Sequence, residues 1–341
     1  MLSLLHAVLV FPLRLLIQLL SWIGNQGTRT IAALVVLGIA VPPLGELLRP
    51  YVTEAIFLLL CISFMRVDLS ILRSYLRRPA LVLMATIWTT IMVPALVGTS
   101  MHVTGIDAGM PDLFLAVMLQ AIASPMMASP SLAALMGLDA TLVLITLVTS
   151  TALVPLTAPA FAYIFLGQML TLSPLALGLK LAAILAGALA VATAIRLSAG
   201  LDAIRRHRAP IDGVNVLILF IFVAAVMGHF IADLLADPIY IIALAALAFA
   251  MFFLLFGLTS LLFRNAGRDR AMALGLMVAQ RNMGLMLAAT EGALPGATWL
   301  YFAMSQFPIY LAPQILKPFA DRLRAQAEHR DAGDQTKPIN A

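Results

Sequence analysis

Apolar segments long enough to cross a bilayer recur along the chain from residue 28 onward, separated by short polar connections. About 20 consecutive apolar residues suffice for one transmembrane helix. The pattern therefore predicts an all-α polytopic membrane protein with ten transmembrane helices. The predicted spans are 29–48, 51–69, 79–101, 112–137, 139–165, 174–197, 213–235, 239–263, 269–295 and 298–322.

Residues 1–27 have a different pattern, in which polar residues recur every three or four positions opposite a row of leucines. This spacing predicts an N-terminal amphipathic helix lying in the membrane interface, with an additional span as the alternative. No basic leading region or small-residue cleavage site accompanies it, so a signal peptide is not expected. The polar positions are Ser3, His6, Arg14, Gln18, Ser21 and Asn25.

The ten spans divide into two sets of five, residues 28–168 and 169–324. Because five is odd, the second set enters the membrane in the opposite orientation, which predicts two inverted repeats. The fourth span of each set is interrupted, by the pairs Ser124-Pro125 and Ser129-Pro130 in span four and by polar residues within 276–285 in span nine. Interrupted helices in corresponding positions are the best sequence indication of a transporter's binding site, so helices 4 and 9 are predicted to be discontinuous and to cross.

Composition supports the membrane assignment, and the distribution of charge predicts the orientation of the spans. Hydrophobic residues make up 62% of the chain and charged residues 11%, against about 25% charged residues in soluble domains. The net charge of +5 comes from clusters of Lys and Arg between spans, which indicate cytoplasmic loops rather than a nucleic-acid partner. We therefore expect a multi-pass protein of the cell (inner) membrane, with both ends of the ten-span core and a disordered tail, residues 325–341, in the cytoplasm.

Arg281 is the strongest candidate for chemistry because it falls at mid-depth in span nine. A charge at the bilayer centre costs about 3 kcal/mol on insertion scales, which suggests a function for it. One interpretation is that the guanidinium binds an anionic substrate group. The other is that it binds backbone carbonyls released by the interruption of span four and locks the crossing.

Further candidates flank the two interruptions. Ser129 and Pro130 are predicted as the N-cap and the first residue of a half-helix, whose amides, with Ser131 beside them, would face the crossing. Ser129 either contacts the ligand or only caps the helix. Gln280 and Asn282 would contact the ligand or the opposite broken backbone, and Ser124 completes the substrate-binding set.

A membrane-embedded enzyme and a channel are the two alternative function classes. A membrane-embedded enzyme has one hint, the pair Asp233 and Asp237, but no second acidic motif faces it, and no zinc, serine-hydrolase or phosphate-loop motif is present in the sequence. A channel is the other alternative. Glu291 and His229 are weak candidates for ion coupling, since both are predicted near the outer ends of spans.

The chain resembles the bile acid:sodium symporter family over residues 29–322. The resemblance lies in the order of spans, in residues 149–159 of span five and in residues 280–285 of span nine. The resemblance implies a sodium/proton-antiporter-like fold, with a panel of spans 1, 2, 6 and 7 and a core of spans 3–5 and 8–10. It also implies that substrate binds between the panel and the crossing, and that relative movement of the two gives alternating access.

Several residues depart from the family's sodium-binding pattern. Pro130 stands where the family has an asparagine, Met277 replaces a glutamate and Arg281 a glutamine, while Asn282 is retained. Sodium needs several oxygen ligands, and these changes remove ligands and add a fixed positive charge. No cofactor is expected, and we hypothesise that transport does not depend on sodium.

Together these observations predict a secondary active transporter, not an enzyme, that carries a small or amphipathic organic anion by alternating access. Its expected partners are that anion and the lipid bilayer. The sequence specifies neither the substrate nor the oligomeric state.

Overall fold

The computed structural model describes residues 2–26, 37–38, 40–66, 79–291 and 293–335. It confirms an all-α membrane-embedded protein, because the described residues form helices, turns and a single isolated bridge, and several of the helices are long and apolar. Outside the described part lie residues 29–36 and 39 of the predicted first span, the basic residues Arg73, Arg77 and Arg78, and the last six residues.

Six of the described helices are long and apolar enough to cross a membrane. They are α2 (Pro42–Arg66), α3 (Pro79–Val103), α6 (Ala140–Leu166), α7 (Pro174–Ala199), α9 (Arg208–Ala236) and α10 (Pro238–Leu262). The other helices are α1 (Leu2–Gln26), α4 (Pro111–Ile122), α5 (Ser129–Leu135), α8 (Leu201–Arg206), α11 (Arg268–Ala279), α12 (Met283–Ala289) and α13 (Gly296–Gln335). Ten spans in two inverted repeats therefore stay a prediction.

The predicted connection between spans one and two, at residues 49–50, is wrong. A 3₁₀ turn, Arg49–Tyr51, lies there inside the continuous helical stretch α2. The chain instead leaves helical geometry at Val41, where φ is −122° and ψ is 74°. The reason is that a residue before proline avoids helical angles, whereas Pro42 suits the first position of a helix.

Both predicted interruptions are confirmed. Helix α4 ends at Ile122 and α5 begins at Ser129. Helix α11 ends at Ala279 and α12 begins at Met283. In the first case Pro125 has no backbone donor and Ala123 is extended, with ψ of 153°, so the helix cannot continue through them.

The chain forms two compact units. The first unit comprises Met1–Val67, Thr171–Ile241 and Gly284–Ala303, and the second comprises Asp68–Leu170, Ile242–Met283 and Met304–Ala341. Neither unit coincides with one of the predicted five-helix repeats, because each collects segments from both halves of the chain.

Helix α9 organises the first unit, since both α1 and α2 pack along it. The backbones approach most closely at glycines. A Cβ atom on Gly213 would lie 2.0 Å from the carbonyl oxygen of Leu20, and one on Gly24 would lie 2.2 Å from that of Ala209. These two pairings run in opposite chain directions, so α1 is antiparallel to α9 at this end. Gly45 of α2 meets Gly228 of α9 in the same way.

Helix α6 has the corresponding role in the second unit, where it packs against α3, α5 and α11. Its hydroxyl groups face this interior: Thr149 shares a 2.7 Å hydrogen bond with Thr86 of α3. Helix α3 contains a π-helical segment, Trp88–Met92, followed by Pro94. Helix α11 is buried from Ala271 to Ala279, which places the second interruption in the interior of this unit.

The last helix is longer than expected. The sequence predicts a disordered tail from residue 325, but α13 continues to Gln335. The difference has a simple origin: residues 325–330 are mostly Ala, Gln, Glu and Arg, which favour helix, and extending an existing helix avoids the cost of nucleation.

Candidate functional site

The two interruptions meet inside the second unit. Pro125 and Arg281 form an isolated antiparallel bridge. The amide of Met126 donates to the carbonyl of Gln280 at 2.8 Å, and the amide of Asn282 donates to the carbonyl of Ser124 at 2.7 Å. Each broken helix thus supplies the hydrogen-bond partners that the other lacks, which buried backbone groups require in the absence of water.

The Gln280 side chain ties the bridge to two further helices. Its Oε1 accepts a hydrogen bond from the Ser129 hydroxyl at 2.9 Å. Its Nε2 donates to the carbonyl of Ile309 in α13 at 3.2 Å. Gln280 and Ser129 are both fully buried, so these hydrogen bonds form where water does not compete. The amide therefore contacts protein rather than a ligand.

The predicted N-cap role of Ser129 is wrong. Helix α5 begins at Ser129 itself, its N-cap is Ala128, and no side chain caps it. The Ser129 hydroxyl is instead donated to Gln280. A buried amide oxygen needs a donor, and the sequence of span four alone does not reveal that Gln280 lies opposite.

Arg281 is buried at the centre of this arrangement. Its Nη1 donates to the carbonyl of Ala123 at 3.0 Å and to the carbonyl of Thr89 at 3.2 Å. Its Nε and Nη2 are buried and have no hydrogen-bond partner among the described residues. One nitrogen of the guanidinium thus binds the broken backbone, as one of the two interpretations predicted, and two donors are left over.

Both carbonyls are available to Arg281 because of helix defects. Ala123 follows the last residue of α4 and has left helical geometry. In the π-helical segment of α3, the amide of Val93 bonds to the carbonyl of Trp88, five residues back. The next amide in that register would bond to Thr89, but residue 94 is proline and has no N–H. The Thr89 carbonyl is therefore free to accept from Arg281.

The electrostatics of the cluster are unusual for a buried arginine. In the described part of the chain the hydrogen bonds of this guanidinium go to main-chain carbonyls and not to a carboxylate. Carbonyl dipoles compensate a buried charge in part, whereas a carboxylate would neutralise it. The site therefore keeps a net positive charge and two unused donors, which suit the oxygen atoms of an anion.

Several hydroxyl groups of the same unit are also buried without a hydrogen-bond partner among the described residues. They belong to Ser124, Thr146, Ser150 and Thr151. Buried polar groups are nearly always hydrogen-bonded, so these hydroxyls and the free Arg281 nitrogens mark a polar interior within an apolar membrane protein.

The structure also places the remaining candidates. Asn282 and Pro130 are half-buried and Ser131 is exposed. Glu291 and His229 belong to the first unit, where Glu291 accepts a 2.6 Å hydrogen bond from Lys180 and His229 is an exposed residue lining a cavity.

Sequence reasoning missed Thr89 and Ile309, whose carbonyls bind the two central side chains. Pro94 indicates a released carbonyl in this span, but in a regular α-helix it would be that of Thr90, and only the π-helical register moves it to Thr89.

Comparison with known proteins does not assign this chain to a family. No protein-family model matches the sequence, and no curated protein matches it. The resemblance drawn from span order and from residues 280–285 therefore stays a prediction, and the functional argument proceeds from the geometry of the two interruptions.

Proposed function

We propose that this protein is a secondary active transporter that carries a small or amphipathic organic anion by alternating access. The observation that carries the proposal is the pairing of two interrupted helices around a buried arginine, at the bridge between Pro125 and Arg281. In membrane proteins, interrupted backbone at this depth is tolerated where it is buried in protein or lines a polar cavity. In secondary transporters such segments form the substrate and ion sites.

The proposal includes a bile acid:sodium symporter-like architecture of ten spans in two inverted repeats. Its support is the position of each interruption, in the fourth predicted span of each set of five. An enzyme would need catalytic groups that the crossing does not offer, since its polar side chains are an arginine, amides and hydroxyls. The free Arg281 nitrogens and the hydroxyls can bind and orient an anion, but among the described residues of the crossing there is no nucleophile with an adjacent base.

Arg281 has two roles in this proposal, one for each part of its guanidinium. Nη1 holds the crossing through the carbonyls of Thr89 and Ala123. Nε and Nη2 present two donors to a carboxylate or sulfonate, in the fork geometry that favours bidentate binding. Because this positive charge is covalently fixed, it replaces a diffusible coupling cation, and we propose transport without sodium coupling.

The decisive experiment measures initial uptake of labelled benzoate, pyruvate and taurocholate into proteoliposomes, with counterflow as the test for a carrier. For whichever probe the wild type transports, we expect Arg281→Gln to lower initial uptake at least tenfold, which corresponds to about 1.4 kcal/mol of lost binding. Arg281→Lys keeps the positive charge but lacks the two-nitrogen fork of the guanidinium, so its initial uptake should lie between that of the wild type and that of Arg281→Gln. Arg264→Gln, which changes an exposed arginine of the same unit, is the matched control.

Three results would contradict the proposal. Flux without counterflow would indicate a channel. If a folded Arg281→Gln variant takes up the probe at the wild-type rate, Arg281 does not bind substrate and only stabilises the crossing. A clear loss of uptake when potassium replaces sodium would show that a diffusible cation is still required.

A further inference from the structure

A second polar site lies in the first unit, at the end of α9 opposite Arg208. A cavity of about 360 Å³ opens there between α2, α9, α10 and the first turns of α13. This volume falls in the range of small-molecule sites, about 300–1,000 Å³. The charged and aromatic residues that line it include Arg49, His229, Asp233, Asp237, Tyr240 and Trp299.

Arg49 provides the cationic side of the cavity. Its guanidinium carbon lies 4.6 Å from the centroid of the Trp299 ring, in a cation–π arrangement. A cation–π contact uses the charge of the guanidinium and leaves the N–H groups that do not point at the ring free to donate. Among the described residues Arg49 has no ion pair, so these donors are available to an anionic group.

Asp233 provides the anionic side. Its half-buried carboxylate has no hydrogen bond or ion pair within the described ranges. The neighbouring Asp237 is already engaged, because its Oδ1 accepts a 3.0 Å hydrogen bond from the amide of Tyr240. The exposed imidazole of His229 lines the same cavity and adds a further polar group.

A fixed cation and a fixed anion thus line one cavity without pairing with each other. A cavity lined by both charges is complementary to a ligand that carries both charges. The surface beside the cavity is strongly apolar, since Leu235 and Ile239 are each 79% exposed. A ligand with a zwitterionic head and long apolar chains would match both features.

We propose that this cavity binds the phosphoethanolamine headgroup of a bilayer lipid, with the phosphate on Arg49 and the primary ammonium on Asp233. Tryptophan and arginine near the end of an apolar helix are typical of the depth at which lipid headgroups lie. A primary ammonium donates hydrogen bonds to the Asp233 carboxylate, whereas the quaternary ammonium of choline cannot. Arg49 already covers one face of Trp299, which removes the aromatic surface that a choline group would use there. This inference does not depend on the transport proposal.

The test compares the thermal midpoint, Tm, of the full-length protein in nanodiscs of phosphatidylethanolamine, phosphatidylcholine and phosphatidylglycerol with identical acyl chains. We expect phosphatidylethanolamine to raise Tm by about 2–4 °C over the other two lipids. Arg49→Gln and Asp233→Asn should each abolish this difference. Arg264→Gln and Asp202→Asn, which change exposed residues away from the cavity, should preserve it. Because each variant is compared with itself in different lipids, a general loss of stability does not obscure the result.

Native mass spectrometry of the same samples supplies an independent measurement, and retention of phosphatidylethanolamine should fall in both cavity variants. Equal Tm values of the wild type in all three lipids would overturn the proposal. So would a difference between lipids that survives Arg49→Gln and Asp233→Asn. If soluble O-phosphoethanolamine raises Tm in phosphatidylcholine nanodiscs to the same extent, the ligand is a free solute and the lipid assignment is wrong.

Discussion

At the scale of single residues, the contact between the two interruptions is held by side chains that bind backbone atoms. Arg281 donates to two carbonyls, and Gln280 links the Ser129 hydroxyl to the carbonyl of Ile309. In each case a helix defect creates the need and a side chain from another segment satisfies it. Removing one partner therefore leaves a buried polar group unpaired, which costs more than the hydrogen bond itself contributes.

Ser129→Ala tests this logic. It leaves Oε1 of Gln280 without its donor in a fully buried position, so we expect a loss of about 1–3 kcal/mol, or several degrees in Tm. Ser131→Ala is the matched control, because Ser131 lies in the same short helix but is exposed, and its Tm should change little. A double-mutant cycle with Gln280→Leu should show coupling between residues 129 and 280. Additive effects of the two changes would contradict the hydrogen bond as the cause.

The sequence predicts the positions of these residues better than their partners. Arg281 stands out because a cation in an apolar span is expensive, and that argument needs no structure. Its two carbonyl acceptors depend on which segments meet in three dimensions, and nothing local to span nine indicates Thr89. Ser129 was misassigned for the same reason: capping is a local rule, and the distant Gln280 competes successfully for the hydroxyl.

At the scale of helices, several departures from regular α-helix lie at prolines, although only the interruption of span four was predicted from them. Prolines mark the interruption after α4, the start of α2 at Pro42 and the π-helical segment before Pro94. The pair Arg49-Pro50 was misleading, because it resembles a loop although Pro50 tolerates the tight 3₁₀ turn. The interruption at 280–282 contains no proline, and there polarity at mid-depth was the only indication.

The contact between α1 and α9 yields a second prediction. A methyl group added at Gly213 would lie 2.0 Å from a backbone oxygen of Leu20, so one helix must move away from the other. We therefore expect Gly213→Ala to lower Tm by several degrees despite the better helix propensity of alanine. Gly257→Ala in α10 is the control, because a methyl group there meets open space and should leave Tm unchanged or raise it slightly. Equal effects at the two positions would show that α1 does not pack closely on α9.

At the scale of the whole molecule, charge and packing together yield a prediction of how α1 relates to the membrane. The basic residues around α8 and the start of α9 predict a cytoplasmic location for that end of α9. Gly24, near the end of α1, packs beside Ala209 at the same end, and α1 is antiparallel to α9 there. Helix α1 is not one of the six helices that qualify as spans by length and composition together, but its 25 residues, at 1.5 Å each, measure about 37 Å, which exceeds a hydrocarbon core of about 30 Å.

Packing of α1 along a membrane-length helix favours the additional span over the interfacial helix, and it predicts that residue 3 lies outside the cell. A Ser3→Cys variant in a Cys61→Ser background should react with a membrane-impermeant maleimide in intact cells. Asp202→Cys in α8 should react only after the membrane is permeabilised, because α8 belongs to the predicted cytoplasmic side. If Ser3→Cys also requires permeabilisation, α1 does not cross the membrane and lies at the cytoplasmic surface. Its contact with α9 would then be confined to the end marked by Gly24 and Gly213.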